Sequence, residues 1–357
     1  MRSAKSLAGC FLTSVVAASL LAVGCAPTSQ APAATTNPVV PTKAAESTKA
    51  PAAAPTVAKS TQYPVAGRTI TIVVPWAAGG TNDITTRLLA PALEKELGVP
   101  VQIVNKAGAG SQTGLTELAR SKPDGYTIGQ TSMPALQAMY LDESRKAVFG
   151  RKDFQPIAVY GRQPMSISVK AGGPYKTAKD LVDAARAKPE TVKIATAGLM
   201  SSTHTAPLLF QTAAGVQFAY VHFDGGSPAM TAVLGGHVDA QSSGVAAVLS
   251  QYKNKDINVL GILEKDRVDL YSELPTMAEQ GYNSVQSMYL VLLMPAGAPP
   301  EVVDVLNRAV DRVLKQEDIQ KKLEDMGAVP DYQDAKEFDA LWTTMEEDMK
   351  VAIPLAK

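Results

Sequence analysis

Three loops of this chain place glycines and small polar side chains directly before a predicted helix. They are the segments 78–83 (AGGTND), 198–204 (GLMSSTH) and 223–228 (FDGGSP). The first N–H groups of a helix have no partner inside the helix, and they carry a partial positive charge. Glycine lets a bound group approach the backbone closely because it has no Cβ atom. The pattern favours an anion site, most simply a site for a carboxylate.

Each loop also has a purely structural interpretation, which the residue pattern alone leaves open. Asn82 or Asp83 would cap the first helix without any ligand, and the hydroxyls of residues 201–203 would form a capping cluster. Asp224 would likewise cap its own helix. Three such helix starts in one chain are hard to attribute to turn chemistry alone.

Catalytic and metal motifs are weaker in this sequence. Residues 108–114 contain GxGxxxG after a predicted strand, but no acidic residue ends the next strand where a ribose would need it. We therefore expect no nucleotide cofactor. Ser202 and His204 could be imagined as the nucleophile and base of an exported hydrolase, although a spacing of two residues does not establish contact. His204, His222 and His237 show no metal-ligand spacing, so no metal is expected.

The N-terminus predicts export. Arg2 and Lys5 precede a short apolar stretch that ends in small residues, which makes residues 1–24 a signal peptide. Cys25 follows LAVG, a pattern that resembles the lipobox of bacterial lipoproteins and predicts a lipid on its sulfur. A soluble secreted form is the alternative, and Cys10 is interpreted as an ordinary signal residue.

The segment that follows predicts a tether. Residues 25–62 are rich in Ala, Pro and Thr and contain almost no aromatic residues. Such a segment cannot bury enough apolar surface to offset its ordering entropy, so we expect it to be disordered. Cys10 and Cys25 are the only cysteines, so the mature chain can form no internal disulfide.

Length and charge limit the function further. The 357 residues allow two ordinary domains, and a hydrophobic content of 46% indicates a globular protein. The chain has 34 basic and 34 acidic residues, of which five basic and one acidic precede residue 63, so the remainder carries a net charge of −4. A mildly acidic body without a basic run gives no reason to expect nucleic-acid binding.

Hydrophobic periodicity predicts two α/β units. In the first, strands over 69–75, 100–106 and 126–132 alternate with helices over 84–98 and 114–123, an order that predicts a parallel sheet. A second series follows, with a helix over 178–189, a strand over 192–198, a helix over 227–236, strands near 237–243 and 257–263, a strand over 289–295 and two closing helices. Two lobes that face each other across a cleft explain this order, and one continuous doubly wound sheet is the alternative.

Several segments resemble a known family when they are read together. They include 70–129 (ITIVVPWAAGGTND…), 153–161 (DFQPIAVYG), 195–206 (ATAGLMSSTHTA), 225–240 (GGSPAMTAVLGGHVDA), 273–282 (ELPTMAEQGY) and 294–310 (MPAGAPPEVVDVLNRAV). They are similar to the extracytoplasmic solute receptors of the tripartite tricarboxylate transporter family, also called Bug proteins. The resemblance extends from Tyr63 nearly to the C-terminus.

The resemblance implies a type II periplasmic-binding-protein fold with a ligand cleft between two α/β lobes. Lobe 1 would comprise residues 63–165 and 268–357, and lobe 2 residues 166–267. It also implies a receptor without catalysis that binds a small organic acid and delivers it to the large and small permease subunits of a transporter. The implied ligand-binding residues are Trp76, Ala78, Gly79, Gly80, Thr81, Asn82, Asp83, Thr131, Ser132, Gly198, Ser201, Ser202, Thr203, His204, Phe223, Asp224, Gly225, Gly226 and Ser243.

Two residues depart from the pattern of many relatives. Phe223-Asp224-Gly225 stands where Tyr-Lys-Gly is common, which would turn a cation into an anion at the mouth of the site and weaken the case for a tricarboxylate. Tyr289 stands where many relatives carry Trp. The sequence therefore predicts a lipid-anchored extracytoplasmic receptor for a small organic acid, with an exported sensor as the alternative.

Overall fold

Strands and helices alternate through residues 63–356, the part of the chain that the computed structural model describes. The strands of this part are β1 (Ile70–Val74), β2 (Val101–Asn105), β3 (Thr127–Met133), β4 (Phe154–Lys170), β5 (Lys193–Thr196), β6 (Ala219–His222), β7 (Ala240–Gly244), β8 (Ile257–Ile262), β9 (Ser287–Pro295) and β10 (Val329–Gln333). The helices are α1 (Thr81–Leu97), α2 (Gln112–Ala119), α3 (Ala135–Leu141), α4 (Ala178–Ala187), α5 (Ser202–Ala214), α6 (Gly226–Leu234), α7 (Leu249–Lys253), α8 (Pro300–Leu314), α9 (Glu317–Asp325) and α10 (Ala335–Leu355).

The predicted signal peptide, the lipid on Cys25 and the tether lie outside the described residues. Among the helices that the structure does describe, none combines the length and the apolar content needed to cross a bilayer.

The first half of the chain forms the parallel sheet that the β-α-β order predicts. Strand β1 pairs in parallel with β2 on one side and with β3 on the other. Strand β9 returns from late in the chain and pairs antiparallel with β3 and with the first part of β4, and β10 pairs with β4 as well. Because β1 is covered by helices on both faces, its sequence ITIVV is almost continuously apolar and four of its five residues are buried.

A second group of strands follows the first. Strand β5 pairs in parallel with β6 and β7, and the last part of β4 pairs antiparallel with β7 and β8. The hydrogen-bond order through both groups is β2-β1-β3-β9-β4-β7-β5-β6. The two groups therefore meet in β4, a strand of 17 residues that periodicity did not predict.

Apolar cores cover both faces of the first strand group. On one face, Leu89 of α1 and Leu306 of α8 pack in a cluster with Ile72 of β1. On the other face, Trp342 of α10 packs with Leu115 of α2, and Trp342 is completely buried. The wide apolar stripe of α8 follows the helical repeat, which is why this helix was predicted from sequence.

The end of α10 packs beyond the first strand group. Met349 and Ile353 belong to a buried cluster with Ala138 of α3 and Leu208 of α5. This C-terminal helix thus connects elements that accompany both strand groups.

Candidate functional site

The loop between β1 and α1 presents the start of a long helix without a side-chain cap. Gly80 is the N-cap residue, and no side chain accepts a hydrogen bond there. Within the described residues, the N–H groups of Thr81, Asn82 and Asp83 have no acceptor, because an α-helix leaves its first N–H groups unpaired. The purely structural interpretation required Asn82 or Asp83 to cap α1. Neither side chain does so, and the start of the helix is open.

Asp83 instead holds the loop together from inside. Its carboxylate accepts hydrogen bonds from the N–H of Gly79 at 2.8 Å, from Nδ2 of Asn105 at 2.9 Å and from Nε of Arg87 at 3.0 Å. The hydrogen bond from Arg87 is the main cause that lowers the pKa of Asp83 to about 2, and those from Gly79 and Asn105 add to it against the opposing effect of burial. The N–H of Gly79 is consequently occupied by the protein itself.

The loop between β5 and α5 has the same design. Ser201 is the N-cap of α5, and its side chain does not cap the helix. Its hydroxyl donates to the carbonyl oxygen of Gly198 at 2.8 Å and lies 2.7 Å from Oγ1 of Thr203. Oγ1 of Thr203 also accepts from the N–H of Ala197 at 2.7 Å. Among the described residues, the N–H groups of Ser202 and Thr203 have no acceptor.

Backbone strain is concentrated around these loops. Met200 has a φ of 57°, although it is not a glycine, and Gly198 has a φ of 132° that only glycine adopts readily. In the nearby segment after β2, Ala109 and Ser111 have φ values of 46° and 91°. Left-handed conformations of non-glycine residues persist where the surrounding structure fixes them, and they are typical of ligand-binding loops.

His204 fixes the second loop from behind. Its Nδ1 accepts from the N–H of Met200 at 3.2 Å, and its ring packs edge-on against Tyr220 and His222. Burial is the main cause that lowers the pKa of His204 to about 4, so the ring is neutral at pH 7. Thr196 Oγ1 lies 2.6 Å from Nδ1 of His222 and ties the end of β5 to β6.

One cavity of about 410 Å³ opens between the two loops. This volume falls in the range of small-molecule sites, roughly 300–1,000 Å³. Both helix starts contribute to its wall, one from each strand group. The lining residues are Trp76, Thr81, Asn82, Gly110, Ser132, Ala135, Met139, Arg145, Ala197, Gly198, Leu199, Met200, Ser201, Ser202, Thr203 and Met288.

Eight of the residues implied by the resemblance line this cavity: Trp76, Thr81, Asn82, Ser132, Gly198, Ser201, Ser202 and Thr203. Ala78, Gly79 and Gly80 lie exposed in the adjacent loop, whereas Thr131 and Ser243 are buried within strands. Asp83 and His204 are also buried, and they shape the loops instead of lining the cavity.

The third predicted loop does not line the cavity. Phe223, Asp224, Gly225 and Gly226 do not line it, and Asp224 is exposed. They follow β6, which lies at the edge of the second strand group beyond β5. The N–H of Phe223 donates to the carbonyl oxygen of Thr196 at 2.9 Å, so this loop begins beside the end of β5. A ligand role for this loop stays a prediction.

Half of the lining residues were missed by the sequence analysis. They are Gly110, Ala135, Met139, Arg145, Ala197, Leu199, Met200 and Met288. Gly110 could have been found, because its loop follows a predicted parallel strand at the sheet edge where ligands bind. Arg145 gave no signal, since it lies in a short polar segment that has no regular pattern.

Sequence comparison places the chain among transport receptors. A sequence model described as "Tripartite tricarboxylate transporter family receptor" matches residues 85–352. Protein BugT of Bordetella pertussis is 31% identical over 265 residues, which cover 74% of this chain and 81% of BugT. A protein encoded in an intergenic region of Agrobacterium vitis is 30% identical over 268 residues, covering 74% of this chain and 77% of that protein. The chain belongs to the tripartite tricarboxylate transporter receptor family.

Solved structures of solute-binding proteins share the fold of this family member. A TctC solute-binding protein from Polaromonas superposes with a TM-score of 0.74 at 26% identity, covering 82% of this chain and 99% of that chain. The protein Rpa4515 of R. palustris, solved with adipate, gives 0.67 at 26% identity, with 82% and 98% covered. MatC of Rhodopseudomonas palustris, solved with bound malate, gives 0.65 at 26% identity, with 83% and 100% covered. The receptor has the expected two-lobed binding-protein fold.

The geometry disfavours the hydrolase alternative for this receptor. Within the described residues, no hydrogen bond joins Ser202 to His204, and Nδ1 of His204 is occupied by the N–H of Met200. A serine nucleophile needs a base within hydrogen-bond reach of its hydroxyl. The family is one of solute-binding receptors, which agrees with this local arrangement.

Proposed function

We propose that this receptor binds a small organic acid in the cavity between its lobes and delivers it to a membrane permease. The observation that supports the proposal is the pair of uncapped helix starts, α1 and α5, on the wall of one cavity. Each start directs the positive end of a helix dipole and free N–H groups at the same space. A carboxylate is the simplest solute group that satisfies both.

The two helix starts also suggest how binding is coupled to closure. A carboxylate held by the N–H groups of Thr81 and Asn82 gains further donors only when those of Ser202 and Thr203 approach it. A ligand that contacts both lobes binds the closed form better than the open form and so shifts the population toward it.

Lobe boundaries at residues 165, 166, 267 and 268 form part of the proposal. In support, β4 changes its partner from β9 to β7 between Pro164 and Met165. Packing of Met349 against Leu208 shows that the end of α10 contacts the region proposed as lobe 2. Closure of the two lobes would therefore have to keep this contact or let α10 shift along α5.

Location and partners are proposed from the sequence and the family. Residues 1–24 would direct export, Cys25 would carry a lipid, and residues 25–62 would tether the receptor near the membrane. Anchoring would raise the effective concentration of the receptor at its large and small permease subunits. The relatives solved with adipate and malate support a carboxylate as the solute.

Thermal melting with a panel of small organic acids tests the binding proposal. An acid at 100 times its Kd stabilises the folded state by about 2.7 kcal/mol, which would raise the Tm by roughly 5 °C for a chain of this size. Ser201→Ala should reduce this rise because Ser201 lines the cavity. Ser227→Ala, at the start of α6 outside the cavity, is the matched control. No rise in Tm with any acid would refute the proposal.

Mass spectrometry of material that co-purifies with the receptor would identify the natural solute. Loss of uptake of that solute in cells without the receptor, restored by the intact gene, would test delivery to a permease. Unchanged uptake with intact binding would favour the sensor alternative.

A further inference from the structure

Arg145 is the one charged side chain among the described residues that line the cavity. It ends the 3₁₀ turn Glu143–Arg145 that follows α3. Its side chain is 23% exposed, so it lies mostly out of water. A cation at the wall of a solute site needs an explanation, because desolvating a charge is costly unless a partner compensates it.

The present contacts of Arg145 leave its guanidinium group poorly satisfied. Nε lies 3.5 Å from Oδ2 of Asp142, one terminal nitrogen lies 3.7 Å from the sulfur of Met139, and the other lies 3.5 Å from the carbonyl oxygen of Leu199. Charge-assisted hydrogen bonds are normally about 2.7–2.9 Å long. A guanidinium has five donors, and within the described residues these three long contacts are the ones it makes.

Asp142 orients Arg145 but does not occupy all of its hydrogen-bond donors. Its Oδ1 accepts from the N–H of Ser144 at 3.2 Å and from the hydroxyl of Ser144 at 2.7 Å, which fixes the carboxylate in the turn. Oδ2 then faces Nε of Arg145 at 3.5 Å. The contact with Asp142 uses only Nε, and Arg145 itself lines the cavity.

Gly110 lies beside both Met139 and Arg145. Its φ is 64°, and a Cβ atom built on it would lie 3.1 Å from the methyl group of Met139 and 3.7 Å from a terminal nitrogen of Arg145. A side chain at this position would therefore crowd Met139, whereas its contact with the arginine would be an ordinary van der Waals contact.

Large apolar side chains line the cavity beside its polar residues. Trp76, Met139, Leu199, Met200 and Met288 contribute side chains to it. Methionine sulfur and methylene groups adapt to the shape of an apolar body. Polar solute groups along this wall would be left unpaired, which costs binding energy.

We infer that Arg145 binds a second anionic group of the solute, and that the solute is therefore an acid with two charged ends and an apolar body. One carboxylate lies at the starts of α1 and α5, and the other accepts hydrogen bonds from the guanidinium group of Arg145. The inference rests on the proposed function and adds the class of acid. A planar guanidinium matches a carboxylate in a bidentate geometry, which a lysine cannot reproduce.

Matched pairs of acids test this assignment by calorimetry on the full-length receptor. Each pair shares one apolar body and differs only in the second carboxylate: straight-chain monoacids and diacids of four to eight carbons, and benzoate with benzene-1,4-dicarboxylate. We expect the wild type to prefer the diacid of the best pair by about tenfold or more, the usual worth of a charge-assisted hydrogen bond.

Arg145→Gln should lower the affinity for the diacid much more than the affinity for the monoacid, and so abolish that preference. Arg145→Lys should restore only part of it. Arg120→Gln is the control, because Arg120 is exposed on α2's C-terminal end and does not line the cavity. Circular dichroism and the melting temperature without ligand would confirm that each variant folds.

The outcomes separate the inference from the proposed function. A wild type that binds monoacids and diacids equally, or an Arg145→Gln variant that keeps the diacid preference, would overturn the inference and leave acid binding intact. If Arg145→Gln lowers the affinity for both acids of a pair equally, Arg145 serves only as a contact to Leu199. That result would also overturn the inference. A wild type that binds no acid would refute the proposed function itself.

Discussion

Asp83 provides a direct test of how the first binding loop is held. Its side chain is 3% exposed and accepts hydrogen bonds from Gly79, Asn105 and Arg87. Asp83→Asn keeps the shape of the side chain and removes its charge. We expect the variant to be less stable than the wild type at neutral pH, because the neutral amide cannot accept these bonds as strongly.

The pKa of Asp83 sets the size of this effect and its pH dependence. It falls from 3.8 to about 2 on folding, a difference worth about 2 kcal/mol at neutral pH. A lowered carboxyl pKa stabilises the folded state above the unfolded value and loses that contribution as pH falls through the folded value. The advantage of the wild type over Asp83→Asn should therefore be about 2 kcal/mol at pH 7, about 1 kcal/mol at pH 3 and below about 0.5 kcal/mol at pH 2.

Urea denaturation of both proteins at pH 7, 5, 3.5 and 3 measures the difference. The exposed Asp304 on α8 supplies the control, since Asp304→Asn changes the net charge equally at a side chain that has no hydrogen-bond partner among the described residues. A difference between wild type and Asp83→Asn that stays constant from pH 7 to 3 would show that the charge of Asp83 does not stabilise the loop. So would a variant as stable as the wild type at pH 7.

Three further predictions concern the site and the core. The pKa of His204 falls from 6.5 to about 4 on folding, so the unfolded chain takes up a proton at a higher pH than the folded chain. The free energy of unfolding should therefore fall by roughly 3 kcal/mol between pH 6.5 and 4. Urea denaturation across this pH range should show that His204→Gln removes this loss. Gly110→Val places a side chain against Met139 at a φ of 64° and should cost about 1–2 kcal/mol in urea denaturation and weaken acid binding in calorimetry. Trp342→Ala, at a completely buried ring, should cost about 3–5 kcal/mol in the same denaturation assay without altering acid affinity when the protein is folded.

Local signals in the sequence predicted the strand, loop and helix from β1 to α1. An apolar run that ends before paired glycines and small polar residues describes a buried strand that leads into a helix start, and the structure has β1 and α1 at these places. The helix starts at Thr81, almost one full turn before the start at residue 84 that periodicity predicted, because the local geometry of the loop and not the hydrophobic repeat sets the boundary. The strand-to-helix transition from β5 to α5 was predicted for the same reason.

Pairings between distant segments could not be predicted in this way. β4 pairs first with β9 and then with β7 along its length, and its own sequence does not record this exchange of partners. Asp224 follows β6 at the edge of the strand order and does not line the cavity, and nothing in the local sequence records sheet order. Arg145 reaches the site only because the turn after α3 lies beside the loop of Gly110, a contact between segments that share no pattern.

The hydrogen bonds inside the two loops show how the proposed anion site can contain its own acceptors. The N–H groups of Gly79, Ala197 and Met200 are occupied by Asp83, Thr203 and His204. Each of these bonds joins a residue before the helix to a residue of its first turn, so it fixes the direction in which the helix begins. The N–H groups left over belong to the first turns themselves, where the helix dipole adds to their attraction for an anion. Internal acceptors therefore shape the two loops, and the N–H groups that they leave unpaired are the ones that the proposed function assigns to the solute.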